Sequence, residues 1–229
     1  MIIKGLQKTT LLDFPEKLAC TVFTGGCNFR CPFCHNASLV INSGEIEEIS
    51  EEEFFYYISK RKGILDGVCI TGGEPLLNSD IIDFIKKIRS MGLLIKLDTN
   101  GSFPDKLELL LNEELLDYVA MDIKNSKEKY AITSGIAEYP AEIEKSIDII
   151  IEKAPNYEFR TTVVRELHNT QDIVSIATHI KNAKKYFLQN YVDSGDTISK
   201  GFSAYSAAEM IEILENTRKI LPITVLRGI

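Results

Sequence analysis

The chemistry of this sequence starts in residues 25–36, GGCNFRCPFCHN, where Cys27, Cys31 and Cys34 form a C-x3-C-x2-C pattern. Three soft sulfur donors in one short loop point to a metal site. Structural zinc takes four ligands, usually as two spaced pairs, and no second C-x-x-C is present. His35 adjoins Cys34 and is poorly spaced to close the same tetrahedron. A disulfide among the three does not suit a reducing compartment. A [4Fe–4S] cluster can be held by three thiolates. One iron is then left open for a chelating ligand, much as catalytic zinc keeps an open position. Phe33 stands just before the last cysteine.

The remaining polar residues with chemical potential fall in clusters: TGGEP (71–75), DTNG (98–101), MDIK (121–124) and Arg160 inside YEFRTTVV. Gly72 and Gly73 let the backbone approach a ligand closely. Glu74 could neutralise an ammonium group, or could sit in solvent on a plain strand-to-helix turn. Asn-Gly is a common turn, and Asp98 could cap a helix. An Arg within an otherwise apolar strand needs a partner. Asn28, Arg30, His35 and Asn36 are expected to shape the cysteine loop through hydrogen bonds. His168 and His179 read as ordinary loop and helix residues. Cys20 and Cys69, in the apolar runs LACTVF and GVCITG, read as small core residues.

These clusters need strands to position them. Strand-like runs occupy 18–23, 67–71, 93–99, 118–124, 157–164, 186–192 and 223–226, and several are almost wholly apolar, as in parallel sheets buried on both faces. Helical patterns lie between them. Ser50 with Glu53, and Ser206 with Glu209, are spaced as capping boxes. Residues 79–91 put Ile81, Ile85 and Ile88 on one face, and 141–154 put Ile143, Ile147 and Ile150 together. Helical patterns at 171–182 and 206–220 complete the set. The βαβα order predicts an α/β fold with a parallel sheet and helical crossovers, closed, partly closed or open. In each case functional groups gather at the C-terminal strand ends. The cysteine loop, TGGEP, DTNG and MDIK all fall there, bringing Asp98, Thr99, Asp122 and Lys124 towards one mouth. One domain over 1–229 is expected.

The chain has 229 residues, 45% hydrophobic and 26% charged, with a net charge of −7. That balance speaks against general nucleic-acid binding, which needs a concentrated basic surface. The first residues lack the apolar core of a signal peptide, and no apolar run approaches the ~20 residues that span a bilayer. Cysteine usage and the lack of an export signal lead to the expectation of a cytoplasmic protein without membrane or nucleic-acid partners.

The cysteine spacing, with Phe33 before the last Cys, resembles the cluster loop of the radical S-adenosylmethionine superfamily, and TGGEP resembles that superfamily's motif after the second strand. The resemblance implies a partial (β/α)6 barrel of radical SAM type. It also implies a [4Fe–4S] cluster on Cys27, Cys31 and Cys34, whose open iron chelates S-adenosylmethionine. Phe33, Gly72, Gly73, Glu74, Asp98, Thr99, Asp122, Lys124 and Arg160 would then contact the cofactor, with Arg160 opposing its carboxylate. DTNG and D-x-K resemble the glycyl radical enzyme activases, some of which bind a monovalent cation here.

The whole sequence is most similar to the anaerobic ribonucleoside-triphosphate reductase activating proteins, through GLQKTTLLDFPEKLACTVFTGGCNFRCPFCHN, TGGEP, LDTNG, MDIK and the terminal LRG. The implied partners are a glycyl radical enzyme, namely the anaerobic reductase, and a flavodoxin or ferredoxin electron donor. Residues 37–66 carry none of the extra cysteine sets that some activases insert there. The sequence has DFPE (13–16) where activases often have a D-G-P-G-type run. YFLQNYV ends in Val192 where the pyruvate formate-lyase activase has a histidine. The alternatives are an activase of the pyruvate formate-lyase type, a small-molecule enzyme like 7-carboxy-7-deazaguanine synthase, and a metal-binding module independent of S-adenosylmethionine.

Overall fold

The computed structural model describes residues 1–228. Eight strands form one sheet in chain order: β1 (Ile3–Thr10), β2 (Ala19–Thr24), β3 (Gly67–Gly72), β4 (Leu94–Thr99), β5 (Tyr118–Asp122), β6 (Tyr157–Val163), β7 (Tyr186–Asn190) and β8 (Thr224–Arg227). β1 runs antiparallel to β2, and every later pairing is parallel. β2 to β7, each followed by a helical crossover, are the six βα units of the expected partial barrel, and β1 and β8 form its open edges.

All seven strands expected from the sequence are present, with ends shifted by at most two residues. β2 and β3 are covered on both faces: Cys20, Val22, Val68, Cys69 and Ile70 are fully buried, which is why these runs are continuously apolar. Both core cysteines are where the sequence put them. β1 was not expected. It alternates polar and apolar residues only loosely and leaves Gln7 to Thr9 exposed at the sheet edge, so its pattern is weak.

The outer helices are α1 (Ala37–Ile41), α2 (Glu51–Ser59), α3 (Ile81–Ser90), α4 (Pro104–Asn112), α5 (Tyr130–Ser134), α6 (Ala141–Lys153), α7 (Thr170–His179) and α8 (Ala207–Arg218). Ser50 accepts from Glu53 N at the start of α2, and Ser206 with Glu209 forms a full capping box on α8. The predicted isoleucine stripes of α3 and α6 are buried against the sheet, each side chain contributing about 1.5–3 kcal/mol. α7 carries a capping box, Asn169 with Asp172, that the sequence reading did not use. Among the described residues no helix is long and apolar enough to cross a membrane.

Candidate active site

A cavity of about 470 Å³ opens at the C-terminal ends of the parallel strands. Its walls include Cys27, Cys31, Phe33, Cys34, Gly72, Gly73, Asp98, Thr99, Asp122, Lys124 and Arg160. Every site residue expected from the sequence is therefore gathered there except Glu74.

The cysteine loop leaves β2 and is fixed by its own polar residues. The Arg30 guanidinium donates to Cys27 O at 2.5 Å and Phe29 O at 2.8 Å. Arg30 N donates to Ser134 O at 2.9 Å, tying the loop to α5, and Cys34 N donates to Cys31 O at 3.0 Å. Asn36 Nδ2 donates to Gly72 O at 3.1 Å, and His35 stacks on Tyr191 with centroids 5.5 Å apart. Arg30 and Asn36 thus make the loop-shaping hydrogen bonds expected of them, Asn28 bonds to Ser102 and Asn100, and His35 contributes by stacking instead.

All five cysteines are free. Burial pushes the Cys31 thiol up to about 12 and also raises Cys27. Metal coordination displaces such protons. Phe29 N points at Cys27 Sγ from 3.4 Å and Asn100 Nδ2 from 3.8 Å, supplying donors for a charged sulfur. Three soft thiol donors in one short loop are a donor set that fits a [4Fe–4S] cluster held at three of its irons.

The two glycines of TGGEP have a use the sequence did not reveal. A Cβ on Gly73 would lie 1.8 Å from Gly26 O, and one on Gly72 (φ +115°) would lie 2.4 Å from Thr24 N. What they approach is the backbone entering the cysteine loop as well as the cavity, and Glu74 N donates to Gly26 O at 2.9 Å. Glu74 itself departs from expectation. It neither sits in solvent nor faces the cavity. Its carboxylate is fully buried and accepts from Asn100 N (2.7 Å), Thr99 Oγ1 (2.9 Å) and Leu76 N (3.1 Å), locking the end of β3 to the end of β4. Burial raises its carboxyl to about 7 despite those three donors.

Below the cysteines the cavity floor is charged. β4 and β6 each carry a charged pair two residues apart, hence on one strand face, Lys96 with Asp98 and Glu158 with Arg160, and Asp122 at the end of β5 is followed two residues on by Lys124. Arg160 Nε donates to Asp122 at 2.8 Å and Nη1 to Asp98 at 3.1 Å, with Glu158 4.0 Å away. Lys96 pairs with Asp98, and Lys124 with Asp122 at 3.1 Å. Arg227, from the terminal LRG, grips Glu158 through two bonds of 2.7 and 2.8 Å. Burial alone would raise Asp98 and Asp122, but Arg160 with Lys96 and Lys124 outweighs it and holds both below the usual carboxylate range. Among the described residues Arg160 Nη2 has no hydrogen bond, and Lys124 Nζ has only Asp122.

Sequence reasoning missed Lys96, Asn100 and Glu158. The two-residue spacing of charges inside apolar strands was the available signal for Lys96 and Glu158. His168, read as ordinary, is a buried brace: Val164 N donates to its Nδ1 at 3.1 Å, and Nε2 lies 2.8 Å from Lys124 O. His179 pairs with Glu144 outside the cavity, as an ordinary helix residue would.

The geometry agrees with what the chain resembles. It is 30% identical over 238 residues to a Methanocaldococcus jannaschii protein assigned by name to the glycyl-radical enzyme activating enzymes, covering 100% of this chain and 96% of the relative. It is 26% identical over 203 residues to the pyruvate formate-lyase-activating enzyme of Clostridium pasteurianum, covering 82% of this chain and 81% of that one. Among solved structures, Streptococcus suis SuiB superposes with a TM-score of 0.71 at 17% identity, over 92% of this chain and 49% of that one, a likeness of fold. Residues 21–180 match the radical SAM superfamily, and they take in the three-cysteine loop, the glycine turn and the charged strand ends. The chain is therefore a radical SAM enzyme, a member of the family that works with a [4Fe–4S] cluster and S-adenosylmethionine.

Proposed function

We propose that this protein installs a glycyl radical on a partner enzyme, and that the partner is an anaerobic (class III) ribonucleoside-triphosphate reductase. The observation that carries the activase reading is the near full-length likeness to an M. jannaschii protein assigned by name to the glycyl-radical enzyme activating enzymes. The reductase is favoured by the sequence blocks at the start of the chain and by LRG, whose Arg227 is built into the charged floor.

Cys27, Cys31 and Cys34 would hold the cluster, which with S-adenosylmethionine bound would supply the one-electron reductive cleavage that lets a hydrogen atom be taken from the partner's glycine. The residues of the chain bind, orient and shield. The backbone of Gly72 and Gly73 lines the methionyl end. Arg160 Nη2 and Lys124 Nζ, the donors left over from the floor, would bind the cofactor carboxylate. Asp98 and Asp122 keep those two cations aimed, and Thr99 lines the same wall. Glu74 braces Thr99 and Asn100 at this end of the site. Phe29, Phe33 and Val40 supply the apolar wall that keeps water from the radical. A monovalent cation at this edge would have to take the Asp98 and Asp122 oxygens from Arg160. The electron comes from a flavodoxin or ferredoxin. The 1–229 chain works as one radical SAM unit in the cytoplasm, a setting that suits its free thiols.

A second reading, activation of a pyruvate formate-lyase-type enzyme, is favoured by the Clostridium relative. Anaerobic incubation of reconstituted protein, S-adenosylmethionine and reductant with each candidate partner distinguishes the two. We expect the EPR doublet of a glycyl radical on the reductase. A doublet on the lyase alone would replace the first partner with the second.

A further inference from the structure

Asn100, in the turn after β4, lines the cavity and is only 6% exposed. Its Nδ2 lies 3.8 Å from Cys27 Sγ, within hydrogen-bond reach of the large sulfur atom. The amide cannot be turned the other way. Ser102 N donates to Asn100 Oδ1 at 2.9 Å, and a main-chain N–H can only donate. Oδ1 must therefore face Ser102, which aims Nδ2 at the cysteine loop.

The rest of the turn holds that aim. One Nδ2 hydrogen goes to Asn28 Oδ1 at 3.0 Å, and Asn28 Nδ2 donates on to Ser102 Oγ at 2.9 Å. Ser102 Oγ donates back to Asn100 Oδ1 at 2.5 Å, closing a ring of three side chains across the turn and the loop. The main chain is fixed as well. Asn100 N donates to the buried Glu74 carboxylate at 2.7 Å, and Gly101 N to Thr99 Oγ1 at 3.1 Å. Gly101 stands at φ +80°, where a Cβ would meet Met121 Cε at 2.1 Å, so the turn takes no other residue there without moving. Among the described residues the second Nδ2 hydrogen has the Cys27 sulfur as its one acceptor. A neutral thiol accepts weakly, whereas sulfur bound to iron carries negative charge and accepts well.

We propose that the Asn100 amide donates a hydrogen bond to the cluster-bound sulfur of Cys27, and that this positioning residue tunes how readily the cluster takes its electron. A donor at a ligand sulfur favours the reduced, more negative state, so its loss lowers the reduction potential. The inference rests on the cluster being held by Cys27, Cys31 and Cys34. Wild-type protein that binds no iron and sulfide would overturn that reading and this inference with it, whereas the variant below tests the inference alone.

Asn100→Ala removes the amide and leaves Phe29 N on the same sulfur. We expect unchanged iron and sulfide content, with the ratio of reduced to oxidised cluster at a fixed applied potential falling about tenfold, ~59 mV for a one-electron couple. One exchangeable proton coupled to the reduced cluster, seen by electron–nuclear double resonance in H2O against D2O, should vanish in the variant while the others stay. A loaded variant in which either the potential or the set of proton couplings remains that of the wild type overturns the proposal. Should the variant not load, the wild type decides. A crystal structure with the cluster present must keep Asn100 Nδ2 in hydrogen-bond contact with Cys27 Sγ, and an amide turned away from that sulfur overturns the proposal.

Discussion

Glu74, buried behind the cavity, and Arg160, on its floor, answer burial in opposite ways. Glu74 pays for its position with a carboxyl raised to about 7. The sign follows from proton binding. Below its unfolded value both states hold the proton, and between the two values only the folded state does. The Glu74 contribution to stability therefore falls as pH rises towards 7 and then levels. Relative to Glu74→Gln, wild-type apo-protein should lose roughly 3 kcal/mol between pH 4 and pH 8. Denaturant titrations of the pair across that range check it, and a pH-independent difference contradicts it. Arg160 instead stays charged and is held by Asp98 and Asp122. Lys at 160 keeps the charge but loses the fork that serves both carboxylates and leaves Nη2 for a ligand. Arg160→Lys should weaken S-adenosylmethionine binding at least about tenfold, read by anaerobic calorimetry on cluster-loaded protein, with cluster loading intact. Unchanged affinity would remove Arg160 from cofactor binding.

At the scale of elements, strand ends and crossovers did the positioning, and most of this was legible. The apolar runs of β2 and β3 marked themselves as doubly covered strands, and the isoleucine stripes of α3 and α6 fixed which face met the sheet. β1 was illegible because an edge strand with one solvated face needs no strong pattern. α4 was passed over because Pro104 reads equally as a boundary and as a first-turn residue, and it is the latter. At the site, residue types located the cavity, but direction could not be read from them. Only the fold shows that Glu74 turns back to Asn100 and that the glycines make room for Gly26. Gly73→Ala tests that close approach. Its Cβ would meet Gly26 O at 1.8 Å, so the cysteine loop must shift. Overpacking of this kind costs about 1–3 kcal/mol. The variant should melt several degrees lower and bind less than a full cluster, and normal melting with full iron content would show that the two turns do not constrain each other.

On the scale of the whole molecule, the open sheet, β1 at one edge and β8 at the other, carries a cavity that the chain itself leaves accessible from the strand ends. A protein loop can enter such a mouth, and this makes glycine on a partner a sensible substrate. The claim that the hydrogen comes from that glycine can be read directly. A partner reductase labelled with α-deuterated glycine is incubated anaerobically with reconstituted protein, reductant and unlabelled S-adenosylmethionine, and the 5′-deoxyadenosine is analysed by mass spectrometry. One deuterium per 5′-deoxyadenosine, matched by the glycyl radical formed, is the result expected. 5′-Deoxyadenosine without deuterium, formed while the partner stays radical-free, would contradict the account.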